Sequence, residues 1–261
     1  MKTVAWVFLG FLLVILLSAA IKWAHDGARI TEARALGWHQ LPRSPSNLVP
    51  TASSVQDLAI VKVLAAPAYG WRGYFAVHPW IIYKAAGSDQ YTRHEVIGWS
   101  RRDVVRRNHA APDSLWYGAK PQVLVSHTGP TAAALIPQIE AAIASYPYAQ
   151  QYRSFPGPNS NTFLAHIGRQ VPALELDLPP TAIGKDYREW LTPIGKPPSG
   201  QGVQVSLGGL LGGILSPEEG IEISILGLGV GIDLNCPAFR LPFIGRLAMN
   251  GTVTEKICLF S

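Results

Sequence analysis

The sequence predicts an α+β fold: an antiparallel sheet with two packed helices, preceded by a transmembrane helix and followed by a glycine-rich β segment. Three observations support this class. Residues 58–129 contain four strand-like stretches, and residues 131–171 contain two stretches with apolar residues at helical spacing. Residues 3–21 carry no charged side chain. Ten glycines fall between residues 200 and 231, where apolar and polar residues alternate.

These changes in composition divide the chain into four parts. We expect a transmembrane anchor or signal segment at residues 1–22 and a polar linker rich in Pro and Ser at residues 23–56. An α+β core domain should occupy residues 57–192. A glycine-rich β-hairpin segment with a tail should occupy residues 193–261.

The uncharged run at the N-terminus has the length of a membrane span. Its nineteen residues, as a helix rising about 1.5 Å per residue, would cover roughly 28 Å, close to the thickness of a bilayer's hydrocarbon core. Trp6 and Trp23 lie near its two ends, where indole rings favour the membrane interface. A secretory signal cleaved after residues 18–20 is the alternative. The length of the run and its single lysine favour the anchor.

The predicted partner of this segment is membrane lipid. Lys2 precedes the span and Lys22 follows it, so loop charge favours neither orientation strongly, and we expect the main domain outside the cytoplasm. The net charge of +5 and the pI of about 9.3 suit a surface that faces anionic lipid. No nucleic-acid partner is expected.

Four strands are predicted in the core domain, at residues 58–66, 73–84, 91–99 and 121–129. Pro79 in the second strand indicates a bulge or an edge. Four arginines lie between the third and fourth strands: Arg101, Arg102, Arg106 and Arg107. They are interpreted as a solvated loop or edge strand, with contact to phosphates or lipid head groups as the alternative.

Two helices and a β region follow. The first helix is predicted at residues 131–148, and a second of roughly three turns begins after FPGPNSNT and ends before Pro172. Further along, VQVSL and IEISI read as a hairpin with SPEEG as its turn. In residues 221–234 the apolar face changes sides near residue 225, which predicts a bulge or sharp bend in one strand. LGGLLGGIL (207–215) is interpreted as a buried turn or a membrane-touching loop.

Sequence motifs exclude several classes of site. The chain contains no HExxH, no paired CxxC, no GxxxxGK[ST] and no GxSxG, so no cofactor and no metal are predicted. Cys236 and Cys258 are the two cysteines. They would form a disulfide outside the cytoplasm and remain thiols inside it.

One constellation could support catalysis. Ser160 lies at the mouth of the second helix, where unpaired N–H groups favour an activated nucleophile and a developing oxyanion. His78 is the candidate base. Either His94 or Glu95 on the next strand could orient His78, because neighbouring strand residues face opposite ways; Glu95 is preferred for its charge. The alternative role of Asn159 or Ser160 is simple helix capping.

Several strings resemble an uncharacterised bacterial family known only as a domain of unknown function. They are FAVHPWIIYK, YTRHEVIGWS, PGPNSNTF and LPPTAIGKD. This resemblance implies no activity. Together with the predicted anchor, it leads us to expect a single-pass protein of a bacterial inner membrane with its main domain in the periplasm.

The same strings are also distantly similar to circularly permuted papain-like hydrolases. That group carries a catalytic His on a strand and N-C-x-x-F at a helix start, which His78 and Asn159-Ser160-Asn161-Thr162-Phe163 would match with Ser in place of Cys. A serine gains no thiolate character at a helix N-terminus. The likeness therefore implies a cleft at Asn159, Asn161 and Thr162 that binds a peptide, lipid or glycan. The alternatives are a hydrolase or acyltransferase using Ser160 and His78, and a structural membrane-surface protein using the arginine cluster.

Overall fold

The computed structural model describes residues 2–99 and 103–248. Within these residues the chain forms three α-helices and two antiparallel sheets, and the predicted α+β class is confirmed. The helices are α1 (Lys2–Ala35), α2 (Gly129–Ala144) and α3 (Ser160–Gln170).

The first sheet has five strands. They are β1 (Ile60–Pro67), β2 (Val77–Lys84), β3 (Thr92–Val96), β4 (Val105–Arg107) and β5 (Gln122–Thr128). Their order is β4-β3-β2-β1-β5, so four strands match the predicted ones and β4 is additional. Arg106 and Arg107 lie on this edge strand, whereas Arg101 and Arg102 lie outside the described residues. Pro79 lies where β2 has no β3 partner, because those two strands pair only from Ile81 to Tyr83.

Both faces of the first sheet are covered. On one face, α2 and α3 pack on Val63, Ile81 and their neighbours. On the other face, loops carrying Leu41 and Trp116 cover Trp80. Since adjacent strand residues point to opposite faces, a strand covered twice is apolar at nearly every position, as the VLAA and WII stretches of β1 and β2 are.

The second sheet is a seven-stranded meander in which each strand pairs with the next. Its strands are β6 (Ile194–Gly195), β7 (Val203–Leu207), β8 (Leu211–Ser216), β9 (Gly220–Ile225), β10 (Leu228–Asp233), β11 (Ala238–Leu241) and β12 (Gly245–Ala248).

This sheet corrects two predictions. Residues 211–215 of the predicted turn or loop belong to β8, so SPEEG connects β8 to β9 rather than VQVSL to IEISI. The side change near residue 225 is a hairpin between β9 and β10, not a bulge within one strand. Leu226 and Gly227 both have positive φ, 51° and 73°, as a two-residue type I′ turn requires. In a two-residue hairpin, apolar and polar residues alternate along each strand, but the turn shifts the alternation by one residue. Read along the sequence, this shift looks like a change of face within one strand.

The N-terminal helix α1 extends to Ala35, so the first part of the predicted linker is helical. Within it, Leu9–Ala28 is long and apolar enough to cross a membrane, a property that a signal sequence shares. The helix docks on the domain: the Tyr74 hydroxyl donates to the Ala19 carbonyl, and the Tyr74 ring lies 6.1 Å from that of Trp23. Cys236 is buried and Cys258 lies outside the described residues, so their pairing stays a prediction.

Candidate functional site

The N-terminus of α3 is closed by a capping box. The Asn159 side-chain oxygen accepts hydrogen bonds from the N–H groups of Asn161 (2.9 Å) and Thr162 (3.2 Å). In return, the Asn159 N–H donates to the Thr162 hydroxyl at 3.1 Å. The backbone donors that a ligand or oxyanion would need at residues 161 and 162 are therefore bound to the cap.

The same polar residues join α3 to a neighbouring loop. The side-chain amides of Asn159 and Asn161 donate to the Ile183 carbonyl at 3.0 and 2.8 Å, and the Thr162 hydroxyl donates to the Gly184 carbonyl at 2.8 Å. All three residues are at most 4% exposed. Their polar groups are used in holding the helix to the protein, and a ligand cleft at these residues stays a prediction.

His78 and Glu95 meet inside the protein. His78 Nε2 lies 2.9 Å from Glu95 Oε2, and both side chains are buried. Arg93 holds the same carboxylate from the side, with Nε 2.8 Å from Oε1 and a terminal nitrogen 2.9 Å from Oε2. His94 points to the other face, where its ring stacks on Tyr83. Strand alternation thus places Glu95, rather than His94, against His78.

The charge states of this pair follow from its surroundings. Burial alone would raise the pKa of Glu95, but the hydrogen bond to His78 and the charge of Arg93 outweigh it and bring the pKa to about 2. Burial lowers the pKa of His78 despite the opposing effect of Glu95. A neutral imidazole therefore donates its Nε2–H to an ionised carboxylate, and the lone pair is left on Nδ1.

Aromatic rings enclose this pair. The His78 ring stacks on the Trp116 indole, with centroids 3.8 Å apart and planes 8° apart. The Arg93 guanidinium lies 4.2 Å from the centre of the Trp80 ring. Arg93 also donates to the Ala111 carbonyl at 2.8 Å, which ties the covering loop to the sheet.

The structure does not bring Ser160 and His78 together. Ser160 lies one helical turn before Phe163 and Leu164, which pack into the core under the helices. His78 instead lies on the loop-covered face with Trp80 and Trp116. Among the described residues, no hydrogen bond joins the Ser160 hydroxyl to His78. The start of α3 still adjoins this strand, because the Asn161 side-chain amide donates to the Val77 carbonyl at 3.2 Å.

A cavity of about 140 Å³ lies between α1 and the two sheets. Its wall is mostly apolar and includes Phe75, Val123 and Phe243. The charged residues that line it are Lys22, Asp177 and Arg246. Sequence reasoning missed this cavity because its lining comes from distant parts of the chain. The one feature of the sequence that could have indicated it is Lys22, the first charged residue after the apolar N-terminal run.

The charged groups of the cavity are held by neighbours. Lys22 forms an ion pair with Asp26 one turn further along α1. Asp177 accepts from Arg240 at 2.7 Å, and Arg246 lies 3.4 Å from the Asp233 carboxylate. These contacts fix the positions of two cationic side chains and one carboxylate on the cavity wall.

A buried ionic network lies behind the cavity. Glu222 on β9 binds both Lys185 and Arg240 at 2.7 Å, and Lys185 also binds Asp186 at 2.8 Å. Burial would raise the pKa of Glu222, but the two cations lower it below its ordinary value. Lys185 and Asp186 belong to the string LPPTAIGKD, so this characteristic string supplies contacts between the two sheets rather than an exposed site.

Comparison with known proteins gives a family without an assigned activity. The model of the family described as "Protein of unknown function (DUF3750)" matches residues 58–187. No curated protein and no solved structure matches the chain. Through residues 58–187 the chain belongs to this family; the match covers the first sheet, α2 and α3 and ends before the second sheet. The papain-like relation stays a prediction.

Proposed function

We propose that this chain is a membrane-anchored binding module that holds the anionic head group of a membrane lipid in the cavity beside α1. The observation that carries the proposal is the position of the cavity: Lys22, at the end of the charge-free run of α1, forms part of its wall together with both sheets. A ligand in this cavity would lie beside Lys22, where the charge-free run of α1 ends.

The docking of α1 supports this position. Tyr74 contacts Ala19 and Trp23 on α1 and also packs on Phe243, with ring centroids 5.7 Å apart. Phe243 lines the cavity. Aromatic side chains favour the interface between hydrocarbon and water. The cavity wall and α1 are thus joined through one aromatic cluster.

The lining suits an amphiphilic ligand of limited size. A water molecule occupies about 30 Å³ of liquid, so the cavity has room for a group of roughly phosphate or glycerol size. Lys22 and Arg246 bring two positive charges to the cavity wall against the one negative charge of Asp177. Phe75 and Val123 offer apolar surface to the start of an acyl chain. This mixture favours a lipid over the peptide or glycan that the sequence also allowed.

The proposal is tested by filling the cavity. Full-length protein in detergent is titrated with phosphatidylglycerol and, separately, with phosphatidylcholine, and bound lipid is counted by native mass spectrometry. Ala76→Trp places a large ring in the cavity wall, whereas Ala85→Trp places the same ring on an exposed turn. We expect Ala76→Trp to weaken phosphatidylglycerol binding at least about tenfold and Ala85→Trp to leave it unchanged. Lys22→Gln should reduce the preference for the anionic lipid.

Equal binding by both tryptophan variants would show that the lipid sits elsewhere and would refute the proposal. Thermal unfolding followed by circular dichroism checks that each variant is folded. A hydrolase or acyltransferase acting through Ser160 and His78 is the alternative, favoured by the contact between His78 and Glu95. A serine-reactive phosphonate separates the two: labelling of wild type that is lost in Ser160→Ala would support the enzyme, and we expect no labelling.

A further inference from the structure

We infer that the outward face of the second sheet is a membrane-contact surface that rests against the lipid bilayer. The pairing registers place one set of side chains from all seven strands on this outer face. The set is Ile194, Val203, Val205, Leu207, Leu211, Gly213, Leu215, Ile221, Ile223, Ile225, Leu228, Val230, Ile232, Phe239, Leu241 and Leu247. Every member is apolar or glycine.

The opposite face of the same sheet is buried and largely polar, with Ile214 among its few apolar side chains. It carries Gln204, Ser206, Glu222 and Arg240, all at most 2% exposed. The usual arrangement of a half-covered sheet, with apolar residues inside and polar residues outside, is therefore reversed. An apolar-out, polar-in alternation is the pattern of strands whose outer face meets lipid.

The outer face has the size of the largest apolar patch on a typical monomer. Seven strands about 4.8 Å apart and roughly 17 Å long cover about 500 Å² in projection. Contiguous apolar patches of that size on a monomer are often functional contact sites. Leu215 and Ile223 in the middle of the face are 63% and 56% exposed, so nothing in the described part of the chain covers them.

Three observations favour the bilayer as the occupant. The N-terminal helix α1 contacts β11, so the same helix that can cross a membrane holds this sheet beside it. No side chain of the outer face can donate or accept a hydrogen bond, whereas protein interfaces contain about one hydrogen bond per 100–200 Å². The net charge of +5 attracts the domain to anionic lipid.

This inference shares the anchor with the proposed function but does not depend on the cavity. The experiment uses full-length protein in vesicles of phosphatidylcholine and phosphatidylglycerol. A photo-reactive p-benzoylphenylalanine replaces Ile223 on β9 or Val205 on β7, both exposed positions, and replaces Asp89 on an exposed turn of the first sheet as the matched control. After irradiation, mass spectrometry identifies what each probe has bound.

We expect lipid adducts at positions 223 and 205, several-fold above those at position 89. Adducts between two protein chains at positions 223 and 205 would identify a second copy as the occupant and overturn the inference. Adduct levels no higher than those at position 89 would also overturn it. Ile223 does not line the cavity that Ala76→Trp fills. Lipid adducts at position 223 in the Ala76→Trp variant should therefore equal those of wild type even if the cavity binds nothing.

Discussion

The first sheet has apolar side chains on both of its covered faces, whereas the second sheet buries a polar face and exposes an apolar one. On β2, the neighbouring residues Trp80 and Ile81 are both fully buried. On β9, Glu222 is 2% exposed and its neighbour Ile223 is 56% exposed. Burial of apolar side chains thus stabilises the first sheet, whereas paired charges stabilise the covered face of the second sheet.

The comparison shows that a buried position can be stabilised by apolar contacts or by paired charges, depending on what surrounds it. Removing apolar surface from water stabilises the first sheet without regard to direction. The covered face of the second sheet depends on directional contacts among Lys185, Glu222 and Arg240, since a buried charge without a partner is strongly unfavourable. Changes in the two sheets should therefore have effects of different size, sign and pH dependence.

The largest expected effect on the free energy of unfolding comes from removing the negative charge of Glu222, which pairs with both Lys185 and Arg240. Glu222→Gln keeps the shape of the side chain but leaves two buried cations, Lys185 and Arg240, without their shared carboxylate. We expect it to lower the free energy of unfolding by about 3–5 kcal/mol. Urea unfolding of the full chain in a mild detergent measures this change.

The adjacent residue supplies the matched control. Ile223→Ala on the exposed face should change the free energy of unfolding by less than about 1 kcal/mol. If Ile223→Ala costs as much as Glu222→Gln, the outer face is covered by protein even in detergent, and the contrast between the two faces fails.

The second prediction compares the pH dependence of the two sheets. Folding lowers the pKa of Glu95 from an ordinary value of 4.5 to about 2, so its ionised form stabilises the fold above pH 4.5 and this contribution is lost as pH falls towards 2. The contribution should be about 3 kcal/mol at pH 7 and about 1 kcal/mol at pH 3. The stability advantage of wild type over Glu95→Gln should therefore shrink on acidification.

Glu219 in the second sheet should show the opposite trend. Burial and, to a smaller extent, the charge of Asp177 raise its pKa, so its stabilising contribution is present at low pH and is lost as pH rises. The advantage of wild type over Glu219→Gln should grow between pH 7 and pH 3. Urea midpoints of both variants at pH 7, 5 and 3 test this; parallel trends would refute the assigned charge states.

The smallest expected effect concerns the hairpin between β9 and β10. Leu226 adopts a positive φ, which favours Asn or Gly, and its side chain is 61% exposed. Leu226→Asn should raise the free energy of unfolding by about 0.5–1 kcal/mol. Leu226→Val, with a branched Cβ, should lower it. A stabilising valine would show that the turn is not of the assigned type.

Much of the fold was predictable because it depends on local pattern. Four strands of the first sheet, α3 ending before Pro172 and the apolar N-terminal helix follow from periodicity, proline and charge. The hairpin at Leu226 and the strand β8 were missed for a physical reason. A two-residue turn and a Gly-rich strand leave weak local signals, and partners on either side decide them.

The candidate site was less predictable. Strand alternation was enough to choose Glu95 over His94 as the partner of His78. It could not show that Ser160 and His78 share no hydrogen bond, because that depends on how α3 packs against β2. Asn159 could be read either as a cap or as a cleft residue, and only its hydrogen bonds decided for the cap.

The sequence by itself determined the α+β fold class, the helix that can cross a membrane and the alternation of apolar and polar residues in the second sheet. Each of these depends on the spacing of neighbouring side chains. Only the tertiary structure decided which side of that alternation is covered. Period-two spacing separates two faces but labels neither as inside. The charges of Lys185 and Asp177, brought from another part of the chain, made the polar face the buried one and left the apolar face outward.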